Sequence, residues 1–118
     1  MRNAYSTSIC ICIKRPFYAD TNAGGISISH NGNLTNAITL RSKLVKDGAI
    51  FYTTSDTETI VQLIAKSKRQ KTIDKIIDAL FQIQGGYALV MLTQKTLIGV
   101  RDPFGIRPLV IGLSLIHI

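Results

Sequence analysis

Strand-forming segments lie on both sides of a run of helix-forming segments, and this order constrains the fold more than any other feature. Alternating or apolar residues predict strands over 8–13, 26–29, 49–53, 87–92, 97–100 and 106–111. Gln94 and Lys95 form a predicted hairpin turn, and the sequence from His30 to Asn33 also carries a turn signal. Strands joined by hairpins on both sides of the helices predict an α+β fold and not a parallel sheet.

Three amphipathic segments predict helices in the middle of the chain. The first runs over 34–47, the second begins at Ser55, and the third runs over 72–84. Ser55 and Glu58 have the spacing of a capping box, in which each residue bonds the backbone of the other. The apolar residues predicted to face the core are Leu34, Ala37, Ile38, Leu44, Val45, Ile60, Val61, Ile64, Ile73, Ile76, Ile77, Leu80 and Phe81.

The chain of 118 residues has a formal charge of +7, from 14 lysine and arginine residues against 7 acidic residues. The densest basic run comprises Lys66, Lys68, Arg69 and Lys71, between two predicted helices. No aromatic residues that would stack on bases are interleaved with it, so we expect a solvated basic surface and no nucleic-acid partner. Such a surface would also attract a phosphorylated substrate.

Cysteine usage and hydropathy argue against a metal-binding protein and against a membrane-spanning protein. Cys10 and Cys12 are the only cysteines, and their C-x-C spacing without a second cluster predicts buried thiols and no metal site. No apolar run approaches the roughly 20 residues of a membrane span. We therefore expect a cytoplasmic protein without a membrane partner.

Three motifs go beyond fold class when they are taken together. They are His-Asn-Gly-Asn-Leu at 30–34, Thr-Ser-Asp-Thr-Glu at 54–58 and Arg-Asp-Pro-Phe-Gly-Ile-Arg-Pro-Leu at 101–109. In this order and spacing they resemble the class II glutamine amidotransferases, which are N-terminal-nucleophile hydrolases. Within that class, 30–34 and 99–110 most resemble the amidophosphoribosyltransferase family. Tyr-Ser-Thr at 5–7 and Pro-Phe-Tyr-Ala-Asp at 16–20 also fit.

The resemblance implies a fold and a reaction. We expect part of a four-layer αββα sandwich. The activity would be release of ammonia from glutamine for transfer to phosphoribosyl pyrophosphate, which gives phosphoribosylamine in purine biosynthesis. The complete enzyme would be a homo-oligomer. We expect no cofactor in this chain, because Mg²⁺ would bind in a phosphoribosyltransferase domain that is absent.

The reaction explains the residue types in two of the motifs. A thiolate attacks the glutamine amide, and the resulting oxyanion needs fixed hydrogen-bond donors. By resemblance, Asn31 supplies a side-chain N–H and Gly32 a backbone N–H, whereas Asn-Gly alone would indicate a hairpin turn. Asp56 would bind the substrate's α-ammonium group, and it would also complement the helix N-terminus. The family's arginine for the α-carboxylate is replaced by Ala4, with Arg2 nearby.

Other motif residues have expected structural roles. Asp102 and Arg107 would pair or tie the turn down, and Gly105 would adopt a conformation that favours glycine. His30 would be structural as well, because the general base in this class is the α-amino group of the nucleophile.

The resemblance is expected to be incomplete at both ends. The family nucleophile is a cysteine at the mature N-terminus, whereas this chain begins Met1-Arg2 and its cysteines are internal. We therefore expect a partial glutamine amidotransferase domain over 1–112, a non-matching tail over 113–118 and no activity alone.

Two alternatives remain at this stage. One is the glutaminase domain of another class II enzyme, such as asparagine synthetase or glucosamine-6-phosphate synthase. The other is a non-catalytic basic binding module, which the charge of +7 suggests.

Overall fold

One antiparallel sheet and one layer of helices make up the computed structural model, which describes residues 16–22 and 24–111. The strands lie in the order β1 (Phe17–Thr21), β2 (Gly24–Leu34), β3 (Gly85–Leu92) and β4 (Leu97–Arg101). Three helices connect β2 to β3: α1 (Ala37–Lys46), α2 (Asp56–Lys66) and α3 (Thr72–Leu80). The α+β prediction is confirmed, and the described residues form two of the four expected layers. The predicted strand over 8–13 lies outside them.

Alternation along the strands decides which face of the sheet is buried. In β2, Ile26 and Ile28 are buried, whereas the alternating residues Ser27 and Ser29 point to the opposite face. Pairing places Met91 beside Ile28, which extends the apolar face across the sheet. Burying each such side chain contributes about 1.5–3 kcal/mol. The core therefore lies between this face and the helices.

Helix α2 occupies the centre of the helical layer. It contacts both neighbouring helices as well as β1 and β2. Its buried apolar residues are Ile60, Val61, Leu63 and Ile64. The prediction that Ile60, Val61 and Ile64 face the core is confirmed.

The outer helices bury fewer of the predicted residues. Leu34 is the last residue of β2, where it pairs with Gly85, so α1 begins three residues later than predicted. Ile38 on α1 and Phe81 after α3 are 83% and 85% exposed. In α3 the buried positions include Lys75, which the apolar periodicity did not indicate.

Three further local predictions were wrong. The segment from His30 to Asn33 is not a turn, because it continues the ladder between β2 and β3. The predicted strands over 49–53 and 106–111 are not strands. In both segments, side chains rather than a neighbouring strand bind the backbone.

Candidate functional site

A cavity of about 360 Å³ lies where the end of β2, the start of α2 and the turn after β4 meet. Its lining residues are almost all polar: His30, Asn31, Gly32, Asn33, Thr54, Ser55, Asp56 and Arg107. The structure thus brings together Asn31, Gly32 and Asp56, which come from two separate motifs.

Gly32 occupies a position that no larger residue fits. Its φ is +134°, and a Cβ atom there would lie 2.1 Å from the carbonyl oxygen of Gly86. The positive φ and the close backbone of strand β3 both require glycine here. Tyr87 lies opposite Gly32 in the ladder. Its N–H donates to the Asp102 carboxylate and its carbonyl accepts from the Asp102 N–H, both on the side of β3 away from β2. Tyr87 therefore does not bond the Gly32 N–H.

Asn31 and His30 point to opposite faces of the sheet. His30 is 9% exposed and lies on the face that the helices cover. Asn31 is half-buried, and its side-chain amide makes no hydrogen bond with another described residue. Of the two, Asn31 offers an amide group to the cavity.

Asp56 joins the end of β2 to the start of α2. It is the first residue of α2, and its Oδ2 accepts a hydrogen bond from the backbone N–H of Leu34 at 3.1 Å. Its Oδ1 accepts none from a described residue. The positive end of the helix dipole favours a carboxylate at this position. Asp56 therefore presents an anchored acceptor to the cavity.

The segment before α2 is held by a buried carboxylate, and the capping-box prediction is half wrong. Ser55 does cap the helix, accepting from the Thr57 N–H at 3.2 Å. Glu58 does not bond the Ser55 N–H; it accepts from the N–H groups of Tyr52 and Thr53, at 2.8 and 2.7 Å. Burial raises the pKa of Glu58, but these hydrogen bonds and that of the Thr53 hydroxyl outweigh it and lower the pKa.

Asp102 organises the turn after β4 through backbone N–H groups. Its buried carboxylate accepts from Phe104 and Ile106 at 3.1 Å, from Tyr87 at 3.3 Å and from Arg107 at 3.4 Å. Burial raises its pKa, but the four hydrogen bonds together lower it below the ordinary value. Asp102 thus ties the turn down through the backbone N–H of Arg107 and does not pair with its guanidinium group.

Arg101 closes the same turn from the carbonyl side. Its guanidinium donates to the Arg107 carbonyl at 2.7 Å and to the Gly105 carbonyl at 2.8 Å. Gly105 has a φ of +65°. Because both backbone groups of Arg107 are held, its side chain is positioned at the cavity. The sequence predicted that Arg107 lies in the turn, but not that it lines the same cavity as Asp56, which depends on long-range packing.

Two kinds of feature are not found in the described part of the chain. Within residues 16–22 and 24–111, no group of three or more histidine, cysteine or carboxylate side chains could hold a metal ion. None of the three described helices has both the length and the apolar character to cross a membrane.

Known proteins are similar to this chain over most of its length. The amidophosphoribosyltransferase of Rhizobium etli is 47% identical over 110 residues, covering 92% of this chain and 22% of the relative. The chloroplastic amidophosphoribosyltransferase 1 of Arabidopsis thaliana is also 47% identical, covering 92% of this chain and 19% of the relative. The chain thus spans about one fifth of the length of these relatives.

A solved structure and a family model give the same assignment. The glutamine phosphoribosylpyrophosphate amidotransferase from B. subtilis, solved with ADP and GMP, superposes with a TM-score of 0.82 and 38% identity, covering 86% of this chain and 22% of that one. The family model described as the glutamine amidotransferase domain matches residues 12–115. The chain therefore belongs to the glutamine amidotransferase domain family.

Proposed function

We propose that the cavity at the end of β2 binds glutamine, as the glutaminase site of an enzyme that releases ammonia for transfer to phosphoribosyl pyrophosphate. One observation carries this proposal: Asn31, Gly32 and Asp56 line the same cavity. The relatives' shared name, amidophosphoribosyltransferase, supports this acceptor over those of asparagine synthetase and glucosamine-6-phosphate synthase. The product would be phosphoribosylamine.

Asn31 and Gly32 would stabilise the oxyanion that forms when a thiolate attacks the glutamine side-chain amide. A fixed donor of this kind is worth about 3–4 kcal/mol in the transition state. The Asn31 amide makes no hydrogen bond with another described residue, and the Gly32 N–H is not bonded by Tyr87 opposite it. Both donors thus keep capacity for the substrate oxygen.

Asp56 and Arg107 give the cavity one acid and one permanent cation. An amino acid substrate carries an α-ammonium and an α-carboxylate, so this pair of charges complements its backbone. The Asp56 carboxylate is anchored by Leu34, and the Arg107 main chain is anchored by Asp102 and Arg101. Anchoring lowers the entropy cost of binding. Arg107 would then bind the carboxylate in place of the arginine that Ala4 replaces.

The test compares glutamine with 4-carbamoylbutanoate, which has the same side-chain amide but lacks the α-amino group. Glutamine should perturb the backbone amide resonances of Gly32 and Asp56 in NMR titrations and should bind more tightly than the analogue. Asp56→Asn should weaken glutamine binding about tenfold or more, because a hydrogen bond to a charged group contributes about 1.5–3 kcal/mol. Binding of the analogue should change little.

Asp47→Asn is the matched control, because Asp47 is an exposed acid outside the cavity. Equal losses in the two variants would show a non-specific charge effect. Equal affinity of the wild-type chain for glutamine and the analogue would contradict the assignment of Asp56.

A further inference from the structure

The basic run after α2 lies beside a second cavity, of about 330 Å³. Its lining residues are Asn22, Ser67, Lys68, Arg69, Gln70 and Lys75. Three of these residues are cationic, and none is acidic. The cavity shares no lining residue with the proposed glutamine site. The proposed glutamine site therefore does not account for the positive charge of this second cavity.

Lys75 is the least expected member of this group. It lies in α3 and is 7% exposed, although lysine is almost never fully buried without a partner. Its ammonium donates to the Ser67 carbonyl at 2.8 Å, which is its one hydrogen bond with a described residue. A neutral carbonyl satisfies one of its three N–H groups and does not compensate the charge. A buried ammonium at a cavity wall thus favours an anionic occupant.

Ser67 fixes the loop that carries the other two cations. Its hydroxyl donates to Asp78 at 2.9 Å and accepts from the Arg69 N–H at 3.3 Å. Its own N–H bonds the Ile64 carbonyl at the end of α2. These contacts hold residues 67–69 against both helices, so Lys68 and Arg69 are placed beside the cavity before any ligand binds.

No described acid forms an ion pair with any of the three cations. Among the described residues, the one ion pair joins Lys66 to Asp47. Asp78 accepts the Ser67 hydroxyl, and it lines neighbouring cavities that Lys68 and Arg69 also line, but it does not line this one and forms no ion pair with a described cation. None of the cations Lys68, Arg69 and Lys75 is thus engaged in an ion pair with a described residue, and all three can contact a ligand in the cavity.

We propose that this cavity is a binding site for the phosphate group of a small molecule. Phosphate is compact and multiply charged, and its oxygens accept several charged hydrogen bonds at once. Lys75 would bind it from the buried side, while Lys68 and Arg69 would bind from the loop. Asn22 and Gln70 add amide donors at the rim. This site goes beyond the proposed glutaminase chemistry and does not depend on it.

The first experiment titrates the 118-residue chain with inorganic phosphate at constant ionic strength, with chloride as the balancing anion. Saturable shifts of the Arg69 and Gln70 amide resonances are expected, together with a higher melting temperature in phosphate than in chloride. Lys75→Met and Lys68→Gln should each weaken phosphate binding about tenfold or more. Lys68 is exposed, so the second variant tests the site without disturbing the core.

Lys95→Gln is the matched control, because Lys95 is exposed in the β3–β4 turn, outside the cavity. It should bind phosphate as the wild type does. Glucose 6-phosphate forms a second arm: binding as tight as that of phosphate, or tighter, assigns the site to a sugar phosphate, and rejection assigns it to the free ion.

Two results would overturn the proposal. One is a shift that chloride reproduces or that all three variants lose equally, since this would be general attraction to a basic surface. The other is binding of an oligonucleotide alone, with affinity that falls steeply as salt rises. Failure here would leave the glutamine titration unaffected, because the two cavities share no residue.

Discussion

Gly32 and Gly48 both have positive φ angles, but their surroundings differ. Gly32 has a φ of +134° and faces the backbone of β3, whereas Gly48 has a φ of +102° and has nothing within 4 Å of a Cβ placed on it. A larger residue at position 48 would therefore suffer conformational strain alone. At position 32 it would suffer the same kind of strain and also a steric clash with Gly86. The comparison separates the two reasons for a glycine at the proposed oxyanion site.

Substitution of these glycines should give unequal losses of stability. Gly48→Ala should cost about 1–2 kcal/mol, the typical strain of a left-handed conformation. Gly32→Ala should cost at least about 3 kcal/mol, because its Cβ would lie 2.1 Å from the Gly86 carbonyl oxygen. Urea denaturation measures both. Similar losses would mean that β3 relaxes away from Gly32 without difficulty.

At the scale of elements, two buried carboxylates explain why two predicted strands did not form. The segments over 49–53 and 106–111 have apolar residues typical of strands. Glu58 binds backbone N–H groups of the first, and Asp102 binds those of the second. A local apolar pattern cannot reveal such contacts, because the carboxylate comes from another element or from the other end of a turn.

Glu58→Gln should loosen the segment that leads into α2. The amide keeps the size of the side chain but loses the charge that strengthens three hydrogen bonds, each worth about 1.5–3 kcal/mol. Hydrogen exchange at the Tyr52 and Thr53 amides should accelerate about tenfold or more. Asp74→Asn, an exposed acid in the first turn of α3, is the control. Unchanged exchange in Glu58→Gln would show that other contacts hold the segment.

The turn after β4 should contribute a pH-dependent part of the stability. The folded-state pKa of Asp102 is lowered, so its contribution is complete above the unfolded pKa of about 3.9 and is lost as pH falls through the folded value. The difference in unfolding free energy between the wild type and Asp102→Asn should therefore be constant from about pH 7 to 5 and shrink below about pH 4. Glu58 titrates in the same direction, but it is present in both proteins and cancels. A difference independent of pH would contradict this role.

At the scale of the whole molecule, the sequence predicted the elements better than their contacts. The β3–β4 hairpin and the central helix α2 were predicted because each has a clear period and a clear turn or cap, whereas β1 was not predicted. The shared cavity of Asn31, Gly32 and Asp56 was expected from the family resemblance. The places of Lys75 and Arg107 were not predicted, because they depend on how α3 packs against α2 and how Asp102 folds the turn.

The sheet face opposite the helices carries exposed apolar residues, and they should promote self-association. Leu92 and Leu97 are paired across β3 and β4 and are 55% and 70% exposed. Contiguous apolar surface of this kind favours association, whereas the charge of +7 opposes it until salt screens that charge.

In sedimentation velocity at about 1 M salt, where charges are screened within about 3 Å, the wild type should form larger species as concentration rises. Leu97→Lys should reduce that fraction. Phe81→Lys adds the same charge at another exposed apolar residue, just after α3, and should not reduce it. An equal effect of the two variants would mean that net charge, and not this face of the sheet, controls association.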